Sequence, residues 1–184
     1  ILVHNGNLTN TRELTAELYN VDRRHLNTHS DTELLLNVLA NELQAGIAGL
    51  SLDADQVFAA VTRLHSRVEG SYAAIALIAG YGLLAFRDPH GIRPLVLGHR
   101  TSASGQDEWI VASESLVLES GGYEIVRDVA PGEAIFISPD GEMHSRQCAA
   151  NPRLLPCSFE YIYLARPDSV LSGISVYDAR LRLG

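Results

Sequence analysis

The chain opens on an apolar run, Ile1-Leu2-Val3, and passes at once into the polar string His4-Asn5-Gly6-Asn7. The run reads as the end of a buried strand. Asn5-Gly6-Asn7 reads as a turn, because Asn and Gly tolerate positive φ. Apolar positions then fall three and four apart. Leu14 and Leu18 share one face of a short helix that Thr9 or Asn10 can cap. A polar loop follows from Asn20 to His29. Ser30-Asp31-Thr32-Glu33 has the spacing of a capping box. Leu35, Val38, Leu39 and Leu43 behind it predict a second helix, ended by Gly46 and Gly49. A third helix is predicted from about Asp55, with Val57, Phe58, Val61 and Leu64 inward.

From Ser71 the pattern becomes that of strands. Ser71 to Ala79 and Gly82 to Phe86 predict a hairpin around Gly80-Tyr81. Arg87-Asp88-Pro89-His90-Gly91 is a strong turn signal. Further short strands are predicted at Pro94 to Gly98, Trp109 to Ala112, Tyr123 to Arg127 and Glu133 to Ile137. Ser113-Glu114-Ser115 can cap a short helical turn, and Pro139-Asp140-Gly141 marks another turn. Helices followed by a run of strands indicate an α+β layered domain rather than alternating βαβ units. On this pattern one domain fills residues 1–146, residues 147–158 form a linker, and a second domain starts at 159–184.

Composition narrows the class of partner. The 184 residues are 46% hydrophobic and 20% charged, with a net charge of -8 and only 14 Lys and Arg. That balance argues against a broad nucleic-acid or anionic-membrane surface. No apolar run approaches the roughly 20 residues needed to cross a bilayer. Two cysteines, Cys148 and Cys157, form no disulfide framework, so a reducing, cytoplasmic setting is expected. The histidines show no metal-ligand spacing, and no metal site is expected within the chain. The chain starts without Met and stops where an apolar pattern begins, so it is expected to be a piece of a longer protein.

Three strings carry candidate chemistry. In His4-Asn5-Gly6-Asn7-Leu8, an Asn amide and a Gly N–H can form a pair of oxyanion donors, or a plain turn. In His29-Ser30-Asp31-Thr32-Glu33, Asp31 stands in a first helical turn. It either complements the helix dipole or anchors a substrate ammonium group. Arg87 to Leu95 packs two Arg, one Asp and one His around a turn; they either clamp a substrate or hold the turn through hydrogen bonds and ion pairs, and the second role is favoured.

Together these strings resemble the type 2 glutamine amidotransferases, the N-terminal-nucleophile hydrolases. His4 to Leu8 is similar to their oxyanion loop and Ser30 to Glu33 to the segment whose Asp holds the glutamine α-amino group. Phe86 to Leu95, Val111 to Ser115, Arg127 to Glu133 and Cys157 to Ser169 resemble the amidophosphoribosyltransferase branch, over essentially the whole chain. The resemblance implies a partial four-layer αββα glutaminase domain, followed by the start of a phosphoribosyltransferase-type α/β domain. It implies glutamine and phosphoribosyl pyrophosphate as substrates, Mg2+ in the intact enzyme, and a homo-oligomer. It assigns Asn5 and Gly6 to the oxyanion hole and Asp31 to the substrate amine. The family's nucleophile is an N-terminal Cys that uses its own α-amine as base. Neither Cys148 nor Cys157 matches it, so the piece by itself is expected to be inactive. In some members the Cys matching Cys157 ligates an iron–sulfur cluster, and cluster content stays open here.

Overall fold

The computed structural model describes residues 1–46 and 51–184. Gly49, expected to help end the second helix, lies outside the described residues. In chain order the first unit holds β1 (Leu2–Leu8), α1 (Thr11–Asn20), α2 (Asp31–Gly46), α3 (Ala54–Arg67), β2 (Gly70–Ile78) and β3 (Gly82–Arg87). It continues with β4 (Val96–Thr101), β5 (Asp107–Ala112), α4 (Ser115–Ser120), β6 (Glu124–Asp128), β7 (Glu133–Ile137) and β8 (Met143–Gln147). One antiparallel sheet runs β1-β2-β3-β7-β8, and a second runs β5-β4-β6.

Alternation along β2 explains how the layers assemble, since successive side chains leave a strand on opposite faces. Tyr72, Ala74 and Ala76 join Leu14, Leu18, Leu35, Phe58 and Leu64 in the core beneath α1, α2 and α3. Ala73, with Ala85 and Ile135, meets Leu97 and Val129 in a second core between the sheets. Each fully buried Leu or Phe contributes about 1.5–3 kcal/mol relative to exposure. α4 covers the outside of the second sheet, where a side chain on Gly98 would come within 2.6 Å of Leu118. The layers are therefore helices, sheet, sheet and one short helix, an α+β arrangement of the expected αββα kind.

Local pattern and structure differ at several points. α3 starts from a capping box that Asp53 and Gln56 make, each side chain meeting the other's backbone N–H. Ser30 and Glu33 make none. Glu33 turns outward to the N–H groups of Asn27 and Thr28, at 2.8 and 2.7 Å. Asn10 occupies the N-cap position of α1 without capping it. Its amide instead bridges Arg67 O and Glu69 N at the end of α3. Asn5-Gly6-Asn7 is not a turn. β1 runs straight through it, paired with β2 from Leu2↔Ala76 to Leu8↔Gly70. Nor is β1 a buried strand: it lies at the sheet edge, and Ile1 and Val3 are 85% and 58% exposed.

The segment expected to be a linker is laid down on the first unit. Cys148 is buried in the helix-side core, and Arg153, Leu155 and Cys157 donate backbone bonds to Pro89, His90 and Ile92. Beyond it come a π-helical turn (Glu160–Leu164), a small hairpin of β9 (Val170–Leu171) and β10 (Ile174–Ser175), and α5 (Val176–Leu183). Ala165, Leu171 and Val176 make a separate small core there.

Candidate functional site

β1 sets the geometry. Ile1 and Leu77 exchange both backbone hydrogen bonds, at 3.1 and 2.8 Å. In an antiparallel pair such pairs alternate, so Val3, Asn5 and Asn7 turn their backbone groups toward β2. Leu2, His4, Gly6 and Leu8 turn theirs to the open edge. The Gly6 N–H thus faces outward from the sheet. Gly6 also has φ of 152°, and a Cβ there would lie 2.0 Å from Ser71 O, so no other residue fits. The Leu8 N–H, the last of that row, is taken by Asp31 Oδ2 at 3.2 Å.

Asn5, on the opposite face from His4, reaches the second sheet. Its Oδ1 accepts from Arg93 Nη2 at 2.8 Å, and its Nδ2 donates to Ser113 Oγ at 3.4 Å. Arg can only donate, so the atom facing Arg93 must be the oxygen. That fixes the orientation of an amide whose two ends are otherwise hard to distinguish. The NH2 group is left with one long hydrogen bond and a second hydrogen to offer. An amide donor and a backbone N–H on adjacent residues are what stabilises a developing oxyanion.

Asp31 stands at the first position of α2, where the helix dipole favours a carboxylate. It spends one oxygen on Leu8, and its Oδ1 lies 3.8 Å from His4 Nδ1. The buried His4 ring sits between Thr32 Oγ1 and Ser71 O. Asp31 is partly open, and a neighbouring ammonium group could share its oxygens. Asn5 and Gly6 lie in the edge strand β1, and Asp31 stands beside its end.

Three further residues take roles that their strings do not suggest. Arg93 holds Asn5. Ser113 accepts from Asn5 rather than capping α4. Glu160, buried at 4% exposure, lies 3.0 Å from Arg93 Nη1. Burial pushes the Glu160 carboxyl upward, and the Arg93 charge pulls it back. Glu114 and Ser115 do not cap α4 either. Glu114 accepts from Arg166 N and Ser169 Oγ, and Ser115 Oγ from Val170 N. The string around Arg93 signalled a turn, and nothing in local spacing ties it to Asn5, which lies 88 positions earlier.

Arg87 and Asp88 serve the turn. Arg87 donates to the carbonyls of Arg93, Val129 and Gly91, at 2.7, 2.6 and 2.8 Å. Asp88 accepts from the N–H groups of Tyr72, His90 and Ile92. Both are buried and bonded to the backbone of the turn. Burial pushes the Cys148 thiol upward, the opposite of an activated thiolate. Cys157 is free and half-buried. Among the described residues no group of three or more His, Cys, Asp and Glu could hold a metal. No helix among them is long and apolar enough to cross a membrane. An iron–sulfur cluster commonly takes four Cys ligands, and this chain's two free thiols do not make such a set.

The family model of the glutamine amidotransferase domain matches residues 1–120, and the chain belongs to that family. The chain is similar to several amidophosphoribosyltransferases. It is 55% identical over 183 residues to the amidophosphoribosyltransferase of Pasteurella multocida and 52% identical to that of Escherichia coli. The Schizosaccharomyces pombe amidophosphoribosyltransferase is 46% identical over 195 residues. Each alignment covers all of this chain, and the chain spans about 36% of the length of these relatives. Among solved structures, it superposes on the glutamine phosphoribosylpyrophosphate amidotransferase of B. subtilis, complexed with ADP and GMP, with a TM-score of 0.76. That match has 34% identity and covers 96% of this chain and 35% of the other. The fold is accordingly of the N-terminal-nucleophile hydrolase type.

Proposed function

We propose that this chain is the glutamine-binding part of an amidophosphoribosyltransferase. In this reading the intact enzyme hydrolyses glutamine to glutamate and ammonia. The ammonia then displaces pyrophosphate from phosphoribosyl pyrophosphate, giving 5-phosphoribosylamine, the first committed intermediate of purine synthesis. The observation that carries the reading is the Asn5 amide, held by Arg93 with its NH2 kept as a donor, adjacent in β1 to the edge-facing Gly6 N–H. Similarity to amidophosphoribosyltransferases over the full chain supports it.

Within that reading the roles divide simply. Asn5 and Gly6 stabilise the oxyanion formed when a nucleophile adds to the glutamine carboxamide. Asp31 receives the α-ammonium group. The nucleophile is an N-terminal Cys thiol supplied from outside these residues, since neither Cys148 nor Cys157 lies in the Asn5 cluster. Residues 159–184 begin the phosphoribosyltransferase domain, Mg2+ serves that domain elsewhere in the intact enzyme, and the whole is a cytoplasmic homo-oligomer. The test is phosphoribosylamine formation by the full-length protein with glutamine or with ammonia as nitrogen donor. Formation from both sources is expected. A protein that uses neither, or that hydrolyses glutamine without any requirement for phosphoribosyl pyrophosphate in product formation, would overturn it.

A further inference from the structure

Both hydrogen-bond partners of the Asn5 amide are tied to the C-terminal segment. Arg93, which fixes the oxygen end, is ion-paired with Glu160 at 3.0 Å. Ser113, which meets the nitrogen end, directly precedes two residues held by the same segment. Glu114 accepts from Arg166 N at 2.8 Å and Ser169 Oγ at 2.7 Å, and Ser115 Oγ accepts from Val170 N at 3.0 Å. Cys157 N donates to Ile92 O at 3.0 Å, seating the segment beside Arg93. The Arg93 backbone is itself fixed, because its carbonyl accepts from Arg87 Nε.

We propose that Arg93 is a positioning residue for the oxyanion donor, and that docking of residues 157–170 sets this donor through Glu160–Arg93 on one side and Ser115–Ser113 on the other. The physical reason is the ambivalence of an Asn amide. Without a donor-only neighbour, the side chain can turn its oxygen toward the site, where it would repel an oxyanion. Arg93 removes that choice. A buried carboxylate needs a paired cation, so Glu160 and Arg93 hold each other only while the segment is seated. Ammonia release is thereby tied to the placement of the chain that leads into the second domain. This inference rests on the glutaminase reading above.

The experiment uses the full-length protein and three variants, with the ammonia-dependent rate as an internal measure of folding. Arg93→Met keeps bulk and removes the donor. Glutamine-dependent kcat is expected to fall about 10- to 100-fold, below the full loss of an oxyanion donor, with KM for glutamine within about twofold. Arg93→Lys, which can also only donate, should recover part of the rate. In the Asn5→Ala background Arg93→Met should add little, since two residues acting through one group are not additive. Glu160→Gln should lower kcat less than Arg93→Met does, and not at all once Arg93 is Met.

Equal losses with both nitrogen donors, a change confined to KM, or full additivity with Asn5→Ala would each overturn the proposal. So would a Lys variant no better than Met. If Arg93→Met folds poorly, the Lys variant and the Glu160→Gln cycle still decide. If Asn5→Ala itself costs nothing, the glutaminase reading has failed. If Asn5→Ala is slow and Arg93→Met is not, only this inference has.

Discussion

Two arginines six positions apart in one string do opposite things. Arg87 is 3% exposed and its neighbour Asp88 fully buried. Arg87 meets three carbonyls, and Asp88 meets three backbone N–H groups. Burial pulls the Arg87 pKa down, opposed by the charge of Asp88, and pushes the Asp88 pKa up, opposed by its backbone hydrogen bonds and the charge of Arg87. Arg93 instead holds Asn5 at 2.8 Å, while the other end of that amide makes only a 3.4 Å contact. The first cluster is buried and bonded to the surrounding backbone. The second is fixed at one end and leaves a donor at the other. Satisfaction of polar groups, more than their identity, separates the structural knot from the site.

The comparison breaks most easily at Asp88. Asp88→Ala leaves one buried and two part-buried N–H groups without their acceptor and removes the charge facing Arg87, a loss of about 3–5 kcal/mol. Urea unfolding should show it, while KM for glutamine in the surviving folded protein stays unchanged. A loss under about 1 kcal/mol would mean that the knot is not closed. Asn5→Ala should do the reverse. Glutamine turnover should fall about 10²- to 10³-fold with one oxyanion donor gone, and stability should change little, since the lost bonds are partly exposed. If Asn5→Ala unfolds the protein and spares the rate, the two clusters differ in name only.

Asp31 sharpens the contrast, because it has one structural and one free oxygen. Asp31→Asn retains an acceptor for Leu8 N–H but loses the charge that meets an ammonium group. A hydrogen bond to a charged group contributes about 1.5–3 kcal/mol. kcat/KM for glutamine should therefore drop about 10- to 100-fold, with ammonia-dependent synthesis intact in the full-length enzyme. Equal loss with both nitrogen sources would assign Asp31 to the fold alone.

What was legible in the sequence follows the same division. The helices α1, α2 and α3 and the β2–β3 hairpin were readable, because their apolar periods face one large core. The residues Asn5, Gly6 and Asp31 were readable as strings. The strand that carries them was not. An Asn-Gly pair signals a turn through positive φ, and Gly6 does have positive φ, but it uses it within β1 to let Ser71 O approach. β8 was missed because Met143, His144 and Ser145 show little apolar alternation at a sheet edge. Ser30 and Glu33 have capping-box spacing, but Asp53 and Gln56 form the box. Spacing identifies who could cap, and only the surrounding chain decides where Glu33 turns. Arg93, Ser113 and Glu160 were out of reach, since their roles depend on contacts across 88 to 108 positions or between two chain segments.

The misplaced Glu33 provides the smallest effect and a direct check on the loop that leads to Asp31. Its carboxylate accepts from the backbone N–H of Asn27 and from the hydroxyl and N–H of Thr28, at 2.8, 2.6 and 2.7 Å. The Asn27 N–H, then the Thr28 hydroxyl, hold its pKa down to about 2 from an ordinary 4.5. The folded state therefore favours the anion. This contribution is fully present above about pH 4.5 and fades as pH falls toward about 2. The group is exposed, so salt should weaken the effect. Amide shifts of Asn27 and Thr28, followed by NMR from pH 6 downward, should move with a midpoint well below 4.5. In Glu33→Gln that transition should vanish. A midpoint at the ordinary carboxylate value would show that the loop is not held by this side chain, and that the approach to Asp31 is as loose as its polar sequence first suggested.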